Sequence, residues 1–180
     1  MKILIETDRL LLREFTPSDL DALVKIAEGR HIQHWLSDWG NCADWVQGWF
    51  QTVSANYQTG DPRKKFILLA IETKEDHTLI GQINTGCEEH PKELPGELSV
   101  GYFIAETALG RGYATEAVKG LTGYYFTRGL TDFFHALVKP DNAASKRVVQ
   151  KAGFVFEKQM HIADDERGLT ELFDYYRLYR

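Results

Sequence analysis

The sequence is poor in the residues that build metal centres, disulfide frames and membrane spans. Its two cysteines, Cys42 and Cys87, stand far apart with no CxxC spacing, so neither a disulfide scaffold nor a zinc site is expected. Cys87 has two readings, a nucleophile and a small buried hydrophobe, and an isolated thiol suits the second. The six histidines, at 31, 34, 77, 90, 135 and 161, form no HxH or HExxH group; they read as surface or core residues, and no metal is expected. No apolar run is long enough to cross a bilayer, and no charged n-region with an h-region opens the chain. Cytoplasmic residence without a membrane partner is the expectation. Positive charge is also short: 21 Lys and Arg against 26 Asp and Glu leave a formal net charge of −5. That argues against non-specific nucleic-acid binding and mildly favours a cationic substrate such as an amine.

What is present is an ordinary globular composition, with 43% hydrophobic and 12% aromatic residues, enough for a substantial core. No repeat, linker or low-complexity segment divides the chain, so residues 1–180 are expected to form one domain. The stretch from Glu97 to Gly129 organises the rest. Leu98, Val100, Tyr102 and Ile104 alternate with Glu97, Ser99, Gly101 and Phe103, the period of a pleated strand. After a break at Glu106 to Leu109 comes Gly110-Arg111-Gly112-Tyr113-Ala114. A helical stripe begins at once, with Ala114, Ala117, Val118, Leu121, Tyr125 and Phe126 on one face. Glycines at 110 and 112 permit positive φ and close backbone approach, and the free N–H groups of the first helical turn suit a phosphate. A tight turn with ordinary glycine caps is the competing reading. A P-loop needs Gly-Lys-Ser/Thr at the helix start, where this chain has Gly112-Tyr113-Ala114. A dinucleotide fold needs a third glycine that Glu116-Ala117 does not supply.

Leu109 to Ala114 resembles the pyrophosphate loop of the GCN5-related N-acetyltransferase (GNAT) superfamily, written Q/R-x-x-G-x-G/A, with Gly112 and Ala114 in register. The run Arg111-Gly112-Tyr113-Ala114-Thr115-Glu116-Ala117 is similar to the RimJ/RimL-like branch. Leu109 departs from the Gln or Arg of the general pattern, a small loss where main-chain N–H donors carry the chemistry. Two further stretches carry the likeness: the opening Thr7-Asp8-Arg9-Leu10-Leu11-Leu12-Arg13, and Asn142-Ala143-Ala144-Ser145 followed by Lys151-Ala152-Gly153-Phe154, similar to the second cofactor motif N-x-x-S…K-x-G-F. Together they cover essentially the whole chain.

Taken in order, Thr7 to Phe15 reads as a strand. Thr16-Pro17-Ser18-Asp19 starts a helix with Thr as N-cap and Pro at N1, ending near Gly29. His31 to Tyr57 is dense in tryptophan: Trp35 and Trp39 lie four apart, as do Trp45 and Trp49, with Val46, Phe50 and Val53 completing a helical stripe. Gly60-Asp61-Pro62 breaks the chain. Phe66 to Glu72 and Leu79 to Cys87 read as a hairpin through Thr73 to Thr78. Glu88 to Gly96 is a polar loop. Asp132 to Lys139 is a strand, stopped by Pro140-Asp141-Asn142. Asn142 caps a helix that Gly153 ends. Phe154 to His161 and Thr170 to Tyr179 form a closing strand pair. The fold class is α/β (α+β), a mixed, mostly antiparallel sheet with a splayed parallel pair, flanked by helices. The splay is implied by the resemblance; the parallel pairing of the Glu97 and Asp132 strands follows from a right-handed crossover.

The resemblance implies acetyl-CoA as co-substrate and direct transfer to a primary amine. It places the cofactor against the main chain near Phe103 and Ile104, the loop Leu109, Gly110, Arg111, Gly112, Tyr113, Ala114 and Thr115, and Asn142, Ser145 and Lys151. Arg111, Lys139, Lys146, Arg147 and Lys151 supply positive charge to that half. Glu97 has two readings, a general base acting through water and a solvated strand-end carboxylate; Ser99 and the pair Glu88/Glu89 are fallbacks. Many superfamily members carry a tyrosine, as acid to the CoA thiolate, at the position of Val149. Ser145 is the substitute donor, or simply a residue binding its own helix end. Trp35, Trp39 and Ser99 are the acceptor-side candidates, against the blander reading of a helix packing its aromatic face. A protein N-terminus is the family-typical acceptor; a polyamine, amino-acid-like metabolite or antibiotic, and a non-catalytic acyl-CoA-binding module, are the alternatives. A homodimer is left open.

Overall fold

The structure is a computed structural model that describes residues 3–59, 61, 66–87, 94, 96–164 and 168–180. Eight strands form one sheet in the order β1-β2-β3-β4-β5-β6-β8-β7. They are β1 (Leu4–Glu6), β2 (Leu10–Glu14), β3 (Ile67–Thr73), β4 (Leu79–Cys87), β5 (Leu98–Ile104), β6 (Phe133–Val138), β7 (Val155–Asp164) and β8 (Leu169–Tyr179). Every neighbouring pair is antiparallel except β5 and β6. These two share a single ladder pair, Ser99 opposite His135, and then part. The mixed sheet and its one parallel pair are as the sequence implied.

Helices α4 (Tyr113–Thr127) and α5 (Ala143–Ala152) cover one face of the sheet, and α1 (Leu20–Ala27), α2 (Arg30–Trp35) and α3 (Cys42–Thr59) lie toward the other. The core runs along β3, whose seven residues are all buried, as a central strand covered on both faces requires. On the α4 side, Tyr125 and Phe126 meet Phe134 edge-on. Burying side chains of this size stabilises the fold by roughly 2 kcal/mol each.

Three boundaries differ from the sequence reading. The opening strand is shorter: Thr7 to Arg9 form a corner, closed by Thr7 N–H donating to Leu10 O at 3.0 Å, and β1 precedes it as a three-residue edge strand, too short to show a period. Pro17–Asp19 is a 3-10 turn before α1, with the Thr16 N–H donating to the Asp19 carboxylate at 2.7 Å. The tryptophan region is two helices and a 3-10 turn at Ser37–Trp39, so Trp35 and Trp39 do not share one helix face, whereas Trp45 and Trp49 both lie on α3. The break at Gly60-Pro62, the loop Glu88 to Gly96 and the fallback pair Glu88/Glu89 lie largely or wholly outside the described residues.

Candidate functional site

The site begins where β5 ends. Gly110 and Gly112 take φ of +74° and +82°, conformations that cost other residues about 1–2 kcal/mol, and Gly112 is the N-cap of α4. No side chain caps it, so the N–H groups of the first turn have no partner from that position and stand at the positive end of the helix dipole. They open onto a groove of about 290 Å³ between this turn and α5. Leu109, Gly110, Gly112, Tyr113, Ala114 and Thr115 line it from the loop. Ile104 closes it from β5, while Lys151 joins Ala144, Arg147 and Val148 on the α5 wall. Two of the five expected basic residues thus face the groove. Lys139 and Lys146 are instead paired with Glu171 and Asp174. Arg111 is exposed, and its carbonyl accepts from Arg9 Nη1 at 3.1 Å.

Ile104, the groove's β5 residue, ends the strand beyond its one ladder pair with β6. Ala105 N–H donates to Ile80 O on β4 at 2.7 Å. Alternation along the strand therefore turns the main-chain groups of Ile104 and Tyr102 toward the β5–β6 gap, and those of Phe103 toward β4, where Phe103 stands opposite Gln82. Tyr102, rather than Phe103, accompanies Ile104 as a main-chain donor to the gap. The Ile104 carbonyl accepts from His31 Nε2 at 2.9 Å and keeps a second lone pair. The Phe103 ring points to the opposite face, 4.8 Å from the Trp39 ring.

At the start of α5 the Asn142 side chain accepts from Ser145 N–H at 2.9 Å, an ordinary N-cap. Asn142 is thereby placed as a structural cap. The Ser145 hydroxyl lies 2.9 Å from the Tyr102 hydroxyl. Burial pushes Tyr102 up to about 12, with the Ser145 hydrogen bond opposing, so the phenol is neutral and keeps its proton at neutral pH. Val149 beside them is buried and offers no proton.

On the other face Glu97 enters a polar cluster. Its Oε2 accepts from the Tyr175 hydroxyl at 2.7 Å and its Oε1 from Arg177 Nη2 at 3.1 Å. Arg177 Nε also donates to the Tyr175 oxygen at 2.8 Å. His135 stacks on Tyr175 with ring centres 5.8 Å apart, and its Nδ1, without a hydrogen bond, lies 3.6 Å from Glu97 Oε2. Burial pushes His135 down to about 4, against the opposing pull of Glu97 and with the help of Arg177. Ser99 donates to Gly86 O at 3.3 Å beside this cluster. Trp39 packs on Trp45 and Trp49, at 5.3 and 5.7 Å, whereas Trp35 pairs with His34. Sequence reasoning missed Tyr102, His135, Tyr175, Arg177 and the Arg9 corner. The alternation of β5 could have flagged Tyr102; the others depend on pairings between distant strands. Among the described residues no group of three or more His, Cys, Asp or Glu could hold a metal, and no helix is long and apolar enough to cross a membrane.

A family model described as an acetyltransferase (GNAT) domain matches residues 9–155. The uncharacterized N-acetyltransferase YoaA of Bacillus subtilis (strain 168) is 27% identical over 154 residues, 84% of this chain and 82% of the relative. The solved acetyltransferase (GNAT family) from Bacillus anthracis superposes with a TM-score of 0.79 at 18% identity, covering 98% of both chains. RimL, a ribosomal L7/L12 alpha-N-protein acetyltransferase solved with coenzyme A, gives 0.78 at 20% identity and the same coverage. At these identities the two structures speak for the fold.

Proposed function

The chain belongs to the acetyltransferase (GNAT) family, and from that premise we propose that it moves the acetyl group of acetyl-CoA directly to a primary amine, the α-amine of a protein N-terminus. The observation that carries this reading is the start of α4. Uncapped main-chain N–H groups, at a turn glycine alone adopts easily, open onto a groove bounded by Ile104 at the end of β5, a strand joined to β6 at one ladder pair.

Gly110, Gly112, Tyr113, Ala114 and Thr115 would hold the diphosphate, and Arg147 and Lys151 would offset the remaining negative charge. The gap-facing main chain of Tyr102 and Ile104 would hold the pantetheine arm. When bound, acetyl-CoA supplies an activated acyl carbon and a thiolate leaving group. A thiol of pKa ~8.5 needs little help to leave, and Ser145 Oγ, hydrogen-bonded to Tyr102, holds a proton on that side in place of the missing tyrosine at Val149. On the acceptor side Tyr175 and Arg177 fix Glu97, each taking one lone pair of a different oxygen. A carboxylate has about four such sites, so Glu97 can still accept a proton through water. An α-amine of pKa ~7.7–8.0, of which roughly one in ten is neutral at pH 7, asks less of a base than a lysine at ~10.4.

Release of CoA thiol from acetyl-CoA, measured over a panel of N-terminal peptides and small amines, tests the proposal. Turnover with peptides is expected. Turnover confined to small amines would move the acceptor to a polyamine, an amino-acid-like metabolite or an antibiotic. CoA binding without turnover on any amine would make the chain an acyl-CoA-binding module.

A further inference from the structure

We propose that Thr7, Arg9 and Glu116 are positioning residues for the loop at Gly112: a clamp that fixes the direction of its peptide groups and cancels a carboxylate carried next to the anion. This rests on the reading that the loop holds the diphosphate of an acyl-CoA.

Glu116 stands in the first turn of α4, its N–H bonded to Gly112 O at 3.0 Å. A carboxylate there is favourable in an isolated helix. It becomes adverse once a diphosphate occupies the same end, because two anions then share one positive pole. The structure answers this by saturating the carboxylate. Oε1 accepts from the Thr7 hydroxyl at 2.6 Å and Arg9 N–H at 2.8 Å; Oε2 accepts from Arg9 Nε at 2.8 Å and pairs with Nη2 at 2.7 Å. All four partners belong to the Thr7–Arg9 corner. Burial raises the Glu116 carboxyl, but the Thr7 and Arg9 hydrogen bonds outweigh it and hold the group below its ordinary value. Glu116 is therefore ionised, and Arg9 cancels its charge.

Arg9 also reaches both sides of Gly112. Its Nη1 donates to the Arg111 carbonyl at 3.1 Å, and its guanidinium lies 4.6 Å from the centre of the Tyr113 ring. A trans peptide is planar, so turning the Arg111 carbonyl toward Arg9 points the Gly112 N–H the opposite way. Arg9 is not among the residues lining the groove, whereas Thr7 and Glu116 line an adjoining cavity of about 510 Å³ that shares Gly112, Thr115 and Lys151 with it. The corner that carries Arg9 is itself fixed. Arg9 O accepts from Lys74 N–H at 2.9 Å, and Lys74 Nζ donates to Thr7 O at 2.6 Å. Helix α4 presses on this corner closely: a Cβ added at Gly120 would come within 2.7 Å of Thr7 Cγ2.

The test is calorimetric titration of the full chain with CoA and with 3′-dephospho-CoA, for wild type, Arg9→Ala, Arg9→Lys, Glu116→Gln and the double variant Arg9→Ala/Glu116→Gln. Arg9→Ala, which loses charge-assisted bonds and bares Glu116, should weaken both ligands about ten- to hundredfold. Glu116→Gln, which removes the opposing charge, should stay within about threefold, and the double variant should recover most of the loss. Arg9→Lys keeps the charge without the fork and should fall between. The KM for acetyl-CoA should rise in step while kcat and the acceptor KM hold, a pattern that general loss of stability does not give. A wild type that fails to bind CoA overturns the acyl-CoA reading and the clamp with it. Wild-type binding with Arg9→Ala within twofold overturns the clamp alone. A double variant as weak as Arg9→Ala overturns the charge cancellation. If Arg9→Ala does not fold, Arg9→Lys decides, and unchanged affinity there overturns the clamp.

Discussion

The two faces of the sheet at β5 are built from different materials. On the α4/α5 face the groove has a floor of main chain and small residues at Gly110, Gly112, Ala114 and Ala144, walled by separate side chains such as Leu109, Arg147 and Lys151. On the other face long side chains bind one another, with His135 from β6, Tyr175 and Arg177 from β8 and Glu97 from just before β5 meeting and Trp39, Trp45 and Trp49 packing from two segments. A site of main-chain donors holds a constant anion through local geometry and tolerates drift in side chains such as Leu109. A site of interlocked side chains is set by long-range packing, and it is where an acceptor would be chosen.

Substitutions that strike one face should leave the other intact. The largest effect is expected from Gly112→Glu, which places a charge and a Cβ where the diphosphate would sit. Affinity for CoA should fall more than about hundredfold, at a stability cost near 1 kcal/mol; calorimetry and thermal melting read the two separately, and retained affinity would break the comparison. Next is Glu97→Gln. It should lower kcat about ten- to hundredfold, with affinity for CoA unchanged. A lower melting temperature with unchanged kcat would make Glu97 a structural partner of Arg177. Trp39→Ala breaks contacts with three rings and should cost about 2–3 kcal/mol, lowering Tm by roughly 5–10 °C; a raised acceptor KM with unchanged Tm would instead place Trp39 in the pocket.

The same contrast explains what could be read from the sequence. The β5 period, the glycine pair, the α4 stripe and the Asn142 cap are local patterns, each within one element or one turn, and the structure forms them where the sequence reading put them. The Glu97 cluster joins residues 78 and 80 positions apart, Tyr175 and Arg177, which no window of sequence can bring together. The Thr7–Arg9 corner failed for the same reason: it read as strand because its partner, Glu116, lies more than a hundred residues away. The four-residue spacing of Trp35 and Trp39 misled because the non-helical Leu36, with φ −131° and ψ +67°, ends α2 between them.

Two smaller effects sharpen the comparison. Tyr102→Phe should lower kcat about tenfold and leave CoA affinity unchanged; no change in kcat would leave Ser145 without a role for its neighbour. His135, held near 4 in the fold against ~6.5 unfolded, is neutral in the native state, so between those values the unfolded chain binds a proton that the native chain refuses. Its contribution to stability is complete above pH 6.5 and is lost as pH falls toward 4, with a slope approaching about 1.4 kcal/mol per pH unit. Thermal melts from pH 7 to 4.5 should show this slope in wild type and a flatter one in His135→Gln.

A crystal structure of the protein with coenzyme A tests the central claim most directly. The account predicts diphosphate oxygens within hydrogen-bonding distance of the main-chain N–H groups following Gly110, with the pantetheine arm between β5 and β6. A diphosphate held elsewhere by side chains, or β5 and β6 closed against each other with the arm outside, would contradict it.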